Sequence, residues 1–163
     1  MDIQIREFTD RDIFDAVEIW NQVVEDGVAF PQTENLTAET GMDFFLSQSY
    51  TGIARDLETG RTVGLYILHP NNIGRCGHIC NASYAVAKNM RGRHNGEKLV
   101  THCIEKAREL KFGILQFNAV VKTNYAALAL YKKLGFVQLG TIPNGFLLKN
   151  GNYEDIVLHY YVL

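Results

Sequence analysis

Apolar and polar residues alternate over residues 3–8 (IQIREF), the period-two pattern of a strand with Ile3, Ile5 and Phe8 turned inward. The period then lengthens. Thr9 before Asp10, Arg11 and Asp12 supplies a hydroxyl N-cap with acids in the first turn. Ile13, Ala16, Val17, Trp20, Val23 and Val24 fall at helical spacing until Gly27. Residues 27–36, which include Pro31, have no period and read as a loop. Thr37 caps a second, shorter helix carrying Met42, Phe45 and Leu46.

The middle of the chain predicts a hairpin: two apolar runs, 50–57 and 62–69, flank Glu58-Thr59-Gly60-Arg61. Residues 70–76 (PNNIGRC) are a polar loop, and 77–87 (GHICNASYAVA) a strand rich in small residues. A basic turn with glycines, KNMRGRHNGEK, leads into a helix with Leu99, Val100, Cys103, Ile104, Ala107 and Leu110 on one side. Residues 114–121 read as a buried strand, and Asn124 opens a helix through Leu134 that Gly135 closes. Two last strands, near 136–148 and 153–161, flank the hairpin dipeptide Asn150-Gly151. The order is βααβββαβαββ, in which strands both adjoin as hairpins and alternate with helices. That implies an α/β (α+β) fold with a mixed sheet of about seven strands and helices on both faces. No repeat, low-complexity tract or linker interrupts residues 1–163, which read as one domain.

Composition narrows the classes. With 16 Lys+Arg against 18 Asp+Glu the formal net charge is -2, which excludes a generally basic nucleic-acid binder. No apolar run approaches the length of a membrane span, and MDIQIREFTDRD lacks the basic-then-apolar layout of a secretory leader. Three irregularly spaced cysteines fit free thiols, buried or partly buried, in a reducing cytoplasm.

The basic turn carries the first chemical signal. The opening N–H groups of a helix have no intrahelical partner, and the helix dipole favours an anion there. Gly92 and Gly96 let phosphates approach the backbone, and Arg91, Arg93 and Lys98 add positive charge. The turn is neither a Walker loop, since Glu97-Lys98-Leu99 lacks the Lys-Ser/Thr ending, nor a GxGxxG fingerprint. A solvated helix start is the alternative reading of the turn alone.

The second signal is Asn124-Tyr125-Ala126-Ala127-Leu128-Ala129-Leu130-Tyr131-Lys132-Lys133-Leu134-Gly135-Phe136, which matches N-x-x-A-x-x-x-Y-x-x-x-G-F. With the turn upstream, matching R/Q-x-x-G-x-G/A at Arg91 and Gly96, the chain resembles the GNAT superfamily of acetyl-CoA-dependent N-acetyltransferases. His94 stands where that family usually has Gly. The resemblance implies that the strands at 77–87 and 114–121 splay apart and that the pantetheine arm of acetyl-CoA fills the gap like an added strand. It places the cofactor against Tyr84, Ala85, Val86 and Ala87, against Arg91, Gly92, Arg93, His94, Asn95 and Gly96 of the turn, and against Asn118, Asn124, Ala127 and Tyr131. Tyr131 would be the acid that protonates the leaving thiolate, its alternative being a core tyrosine with a satisfied hydroxyl.

The acceptor is less legible. Residues 78–83 (HICNAS) with Asn118 and Asn124 resemble the branch that acetylates azetidine-2-carboxylate and related cyclic imino acids, in which Asn81 would contact substrate. Trp20-Asn21 and Gly27-Val28-Ala29-Phe30 resemble phosphinothricin-type enzymes, in which Trp20 and Phe30 would wall the acceptor pocket. Core packing is the alternative for both aromatics. Residues 77–87 hold no Asp or Glu, so the base for the amine is left among His78, a bound water, Glu25 and Asp26. Cys76, His78 and Cys80 alternate on one strand face but lack a fourth ligand, so no metal is expected. The resulting expectation is direct acetyl transfer to a small amino or imino acid. A non-catalytic acyl-CoA-binding module and a peptide or protein N-acetyltransferase stand as alternatives, and a homodimer as an open arrangement.

Overall fold

The computed structural model describes residues 1–163. Strand β1 (Ile3–Glu7) is followed by helices α1 (Ile13–Asp26) and α2 (Ala38–Leu46). Strands β2 (Tyr50–Asp56), β3 (Thr62–Pro70) and β4 (Ile79–Val86) come next, then α3 (Asn95–Glu109), β5 (Ile114–Val121), α4 (Tyr125–Leu134), β6 (Val137–Leu147) and β7 (Tyr153–Val162). All seven strands join one sheet in the order β1-β2-β3-β4-β5-β7-β6. Every pairing is antiparallel except β4 with β5.

Local chemistry sets the helix ends, although α1 begins at Ile13, after a 3-10 turn over Asp10–Asp12 that Thr9 caps. Thr37 and Thr40 exchange capping bonds, Thr40 N–H to Thr37 Oγ1 at 3.0 Å and Thr37 N–H to Thr40 Oγ1 at 2.9 Å. Asp12 is buried before α1, and burial alone would raise its pKa. The Arg6 guanidinium, bidentate at 2.7 Å, and the Thr9 N–H outweigh that and hold the carboxyl below its ordinary value.

Alternation along the strands separates two cores. Cys80, Ala82, Leu99, Val100, Cys103, Leu115 and Phe117 pack between the sheet and α3, with Leu130 and Tyr131 of α4 against them. Trp20, Phe30, Phe45, Ile53, Leu65, Ile67, Ala85 and Ala87 pack on the opposite face with α1 and α2. Phe8 belongs to this second core whereas Ile3 and Ile5 lean on the first, as their odd and even positions require. Leu46 turns outward at 63% exposure. The cysteines are all free, but Cys76 is exposed in the β3–β4 connection, so only Cys80 and Cys103 are the buried thiols expected.

Two histidines are kept neutral by the fold. His159 of β7 is buried, its Nδ1 at 3.2 Å from the Val157 carbonyl, and His102 of α3 sits with Nδ1 2.8 Å from the Tyr66 hydroxyl. Burial lowers both pKa values. An unfolded histidine takes up its proton near pH 6.5, whereas these two do so only at lower pH. The unfolded chain therefore binds more protons in that window, and folding stability falls as pH drops below about 6.5. Urea midpoints at pH 7.5 and 5.5 should differ accordingly, and His159→Gln should shrink the difference. Equal midpoints in the parent protein would contradict the assignment.

Candidate active site

The parallel pair β4 and β5 is joined only at its base, Ile79 with Ile114 and Cys80 with Leu115. Beyond that point the strands part. On β4, Ile79 C=O accepts from Asn71 and Ala87 N–H donates to Val63, so odd-numbered backbone groups serve β3. Alternation then turns the backbone groups of Ala82, Tyr84 and Val86 toward the gap. Two are covered locally: Asn81 Oδ1 accepts from Ala82 N–H at 2.7 Å, and Arg91 Nε donates to Val86 C=O at 3.3 Å.

The gap opens into a cleft of about 730 Å³, a size ordinary for a small-molecule site. Its β4 wall is Tyr84 and Val86, and its α4 wall is Asn124, Ala127, Leu130 and Tyr131. The turn before α3 closes one end with Arg91, Gly92, His94, Asn95 and Gly96. The first intrahelical bond of α3 runs from Lys98 N–H to His94 C=O at 3.2 Å, so the amides before Lys98 are free of the helix ladder. Asn95 is buried and braces the turn through Nδ2 to Met90 C=O at 3.0 Å, leaving Oδ1 buried and unpaired. His94 takes the left-handed conformation, φ 60 and ψ 15, with its ring exposed. Histidine tolerates that region better than most residues at a cost on the order of 1 kcal/mol, so the substitution for glycine keeps the shape of the turn.

Tyr131 packs its ring at 4.6 Å from Phe117, 5.3 Å from Phe136 and 5.7 Å from His159. Its hydroxyl makes no hydrogen bond to another protein group, and the residue lines the cleft. Burial pushes its phenol well up, so it holds its proton at neutral pH. Tyr84 is raised by burial in the same way, and its hydroxyl is buried without a partner. At the start of α4, Asn124 Oδ1 caps Ala127 N–H at 3.3 Å, which fixes the amide with its Nδ2 free.

Several residues expected at the site lie elsewhere. Ala85 and Ala87 face the α1 core, and the Ala87 N–H is taken by β3. Arg93 is exposed and off the cleft wall. Asn118 is exposed at a bulge in β5, where it accepts from Gln116 (3.1 Å) and donates to Asn71 (2.6 Å) on the α1 side of the sheet. Trp20 and Phe30 are core residues whose tilted rings meet at 4.4 Å, both under a tenth exposed and neither on the cleft. Asn81 is half-buried beside the gap with its oxygen turned onto its own strand.

Among the candidate bases, His78 is exposed at the closed end of β4, and Glu25 is exposed with Asn35 on its carboxylate at 2.8 Å. Asp26 lines the cleft, paired with Arg91 at 2.8 Å and with Lys88 at 3.7 Å. No group of three or more His, Cys, Asp or Glu is arranged to hold a metal ion. Val23, Asp26, Val28 and Ala29 also wall the cleft, within the first-helix and loop segment expected to wall the acceptor pocket. Val100 and Leu130 were within reach of the sequence pattern, one turn after Gly96 and Ala127 on the same helix faces.

A split parallel pair, a helix start at one end and a protonated tyrosine on the wall define an acyl-transfer fold. The chain belongs to the acetyltransferase (GNAT) family, whose sequence profile matches residues 16–136. It is 29% identical over 157 residues to the N-acetyltransferase aca1 of Schizosaccharomyces pombe, a match spanning 86% of this chain and 75% of that protein. A GCN5-related N-acetyltransferase from Kribbella flavida superposes with a TM-score of 0.90 at 30% identity, covering 99% of this chain and 98% of that one. A phosphinothricin acetyltransferase from Sinorhizobium meliloti, solved with acetyl-CoA, shares the fold at 20% identity and a TM-score of 0.89, covering 100% and 89%. No helix is long and apolar enough to cross a membrane.

Proposed function

We propose that this acetyltransferase moves the acetyl group of acetyl-CoA directly to the amine of a small amino or imino acid. The observation that carries the reading is the gap above Cys80 and Leu115, because it offers an unpaired strand edge between an anion-binding helix start and the Tyr131 hydroxyl. The residues present fit the donor. Tyr84 and Val86 turn backbone groups to an extended chain, the α3 amides and Arg91 suit a diphosphate, and Asn124 Nδ2 is a polar group without a partner on the wall.

Bound acetyl-CoA supplies a thioester whose carbonyl carbon the amine attacks and whose sulfur leaves as a thiolate. Tyr131 holds its proton for that sulfur, and a backbone N–H on the free edge of β4 orients the carbonyl. Holding two reactants in one cleft is the chain's largest contribution to rate. No carboxylate stands free beside the gap, so a water held at the β4 edge takes the ammonium proton. Asn81, half-buried at the closed base of the gap just after Cys80, contacts the acceptor once its oxygen leaves the Ala82 N–H.

The α1–α2 loop is tied at both ends, by the Asn21 amide to the Leu36 backbone and by the Lys149 N–H to the Gly27 carbonyl, which favours a small acceptor over a peptide, and the protonated, unpaired Tyr131 favours catalysis over mere binding. Thiol release from acetyl-CoA with azetidine-2-carboxylate, proline, phosphinothricin and other single amino acids is expected to identify an acceptor. Tight cofactor binding without release on any of them, in a panel that includes peptides, would overturn the enzymatic reading.

A further inference from the structure

Helix α1 ends on two acids, Glu25 and Asp26, with no basic residue in its last turn. A carboxylate at a helix C-terminus has the unfavourable sign for the helix dipole. Glu25 is met by the Asn35 amide at 2.8 Å. Asp26 has only cations for partners, and both belong to the segment that leads into α3. Arg91 Nη1 donates to its Oδ2 at 2.8 Å, and Lys88 Nζ lies 3.7 Å from its Oδ1. The other carboxylate at this end of the cleft, Glu97, differs on both counts. It stands in the first turn of α3, where an acid suits the dipole, and Lys133 of α4 holds it at 2.8 and 2.9 Å. Helix energetics therefore account for Glu97 and not for Asp26.

Asp26 and Arg91 both line the cleft. Arg91 Nε donates to the Val86 carbonyl at 3.3 Å, so two of the three guanidinium nitrogens are engaged and Nη2 is left. A diphosphate that grips the guanidinium by two parallel bonds must displace one of those partners. The carboxylate is the one that yields, because like charges repel, whereas the Val86 carbonyl is neutral. We infer that Asp26 is an internal stand-in for the donor's diphosphate, holding Arg91 and Lys88 in the free protein and exchanging them for the phosphates on binding. Affinity is then reduced by the fraction of the protein in which Arg91 is already taken. Acetyl-CoA and CoA carry the same diphosphate and are weakened alike. Asp26 thus sets donor affinity without touching the reacting atoms. The inference rests on the reading, given under Proposed function, that the α3 amides and Arg91 hold the diphosphate.

The test measures CoA binding to the full-length protein and to Asp26→Asn by calorimetry. Asparagine keeps the shape of the side chain and removes its charge. The Kd for CoA should fall about three- to fivefold in the variant, the scale of one partly exposed ion pair. The affinity of pantetheine, which shares the arm of CoA and has no diphosphate, should not change when measured by displacement of CoA. A Kd for CoA that is unchanged or higher overturns the stand-in and makes Asp26 a brace for the turn. An equal gain with pantetheine overturns it as well, since the effect would not pass through the diphosphate. A crystal of the parent protein with CoA supplies a second readout that needs no variant. Arg91 should lie on a phosphate there, with the Asp26 carboxylate beyond the roughly 4 Å of an ion pair. Arg91 bound to the phosphate and still paired with Asp26 overturns the exchange alone. A diphosphate lying away from residues 91–96 overturns the donor placement and the exchange together.

Discussion

Tyr131→Phe is expected to lower kcat by about 10²–10⁴-fold, the range lost with a positioned general acid, while the dissociation constant for acetyl-CoA changes less than about twofold. The reason is in the packing. The ring is held by Phe117, Phe136 and His159, and phenylalanine keeps those contacts. The hydroxyl has no partner within the protein, so deleting it breaks no internal bond, and thermal stability should be unchanged or slightly higher. Because burial keeps the phenol protonated, the loss should hold across neutral pH and should not be rescued by raising the pH a unit. Steady-state rates with calorimetric binding decide the matter. Full turnover in the variant would remove Tyr131 from the acid role and leave the sulfur to be protonated by solvent.

The second large effect is on stability. Trp20→Ala should cost about 3–5 kcal/mol, the range for deleting a buried aromatic. For a domain of this size that lowers the melting temperature by roughly 6–20 °C. Trp20 is 1% exposed and touches Phe30, Phe44 and Phe45 at ring distances of 4.4, 5.1 and 6.0 Å. The cavity left behind would lie between α1, α2 and the sheet, away from the cleft. The same variant discriminates the two roles the residue type suggests. A wall of the acceptor pocket would show as a raised acceptor KM at nearly parent stability, and that outcome in a thermal melt would sink the core assignment.

The two effects show which positions were readable from the chain. Tyr131 sits in a helical motif whose spacing, Asn124 to Ala127 to Tyr131, places three residues on one face of α4, and local geometry alone brings them to one wall. The turn from Arg91 to Gly96 was readable for the same reason, since a helix start creates its own free amides. Trp20 and Phe30 misled because an aromatic on a helix or in the loop after it looks the same whether it faces a pocket or a core. Asn118 was read as a buried strand residue, and a bulge between Phe117 and Val120 turned it outward instead.

Strand and helix identities, the caps at Thr37 and Gly135, and the phosphate-type turn were thus determined by the sequence itself, because each depends on residues within a few positions of one another. The tertiary structure alone decided where β4 and β5 separate, which backbone edge stays unpaired, and that Asp26 meets Arg91 across the cleft mouth. It alone decided that Lys149 closes on Gly27. Those features join segments tens to more than a hundred residues apart, and their geometry depends on sheet twist and on which face each helix covers, neither of which has a local signature.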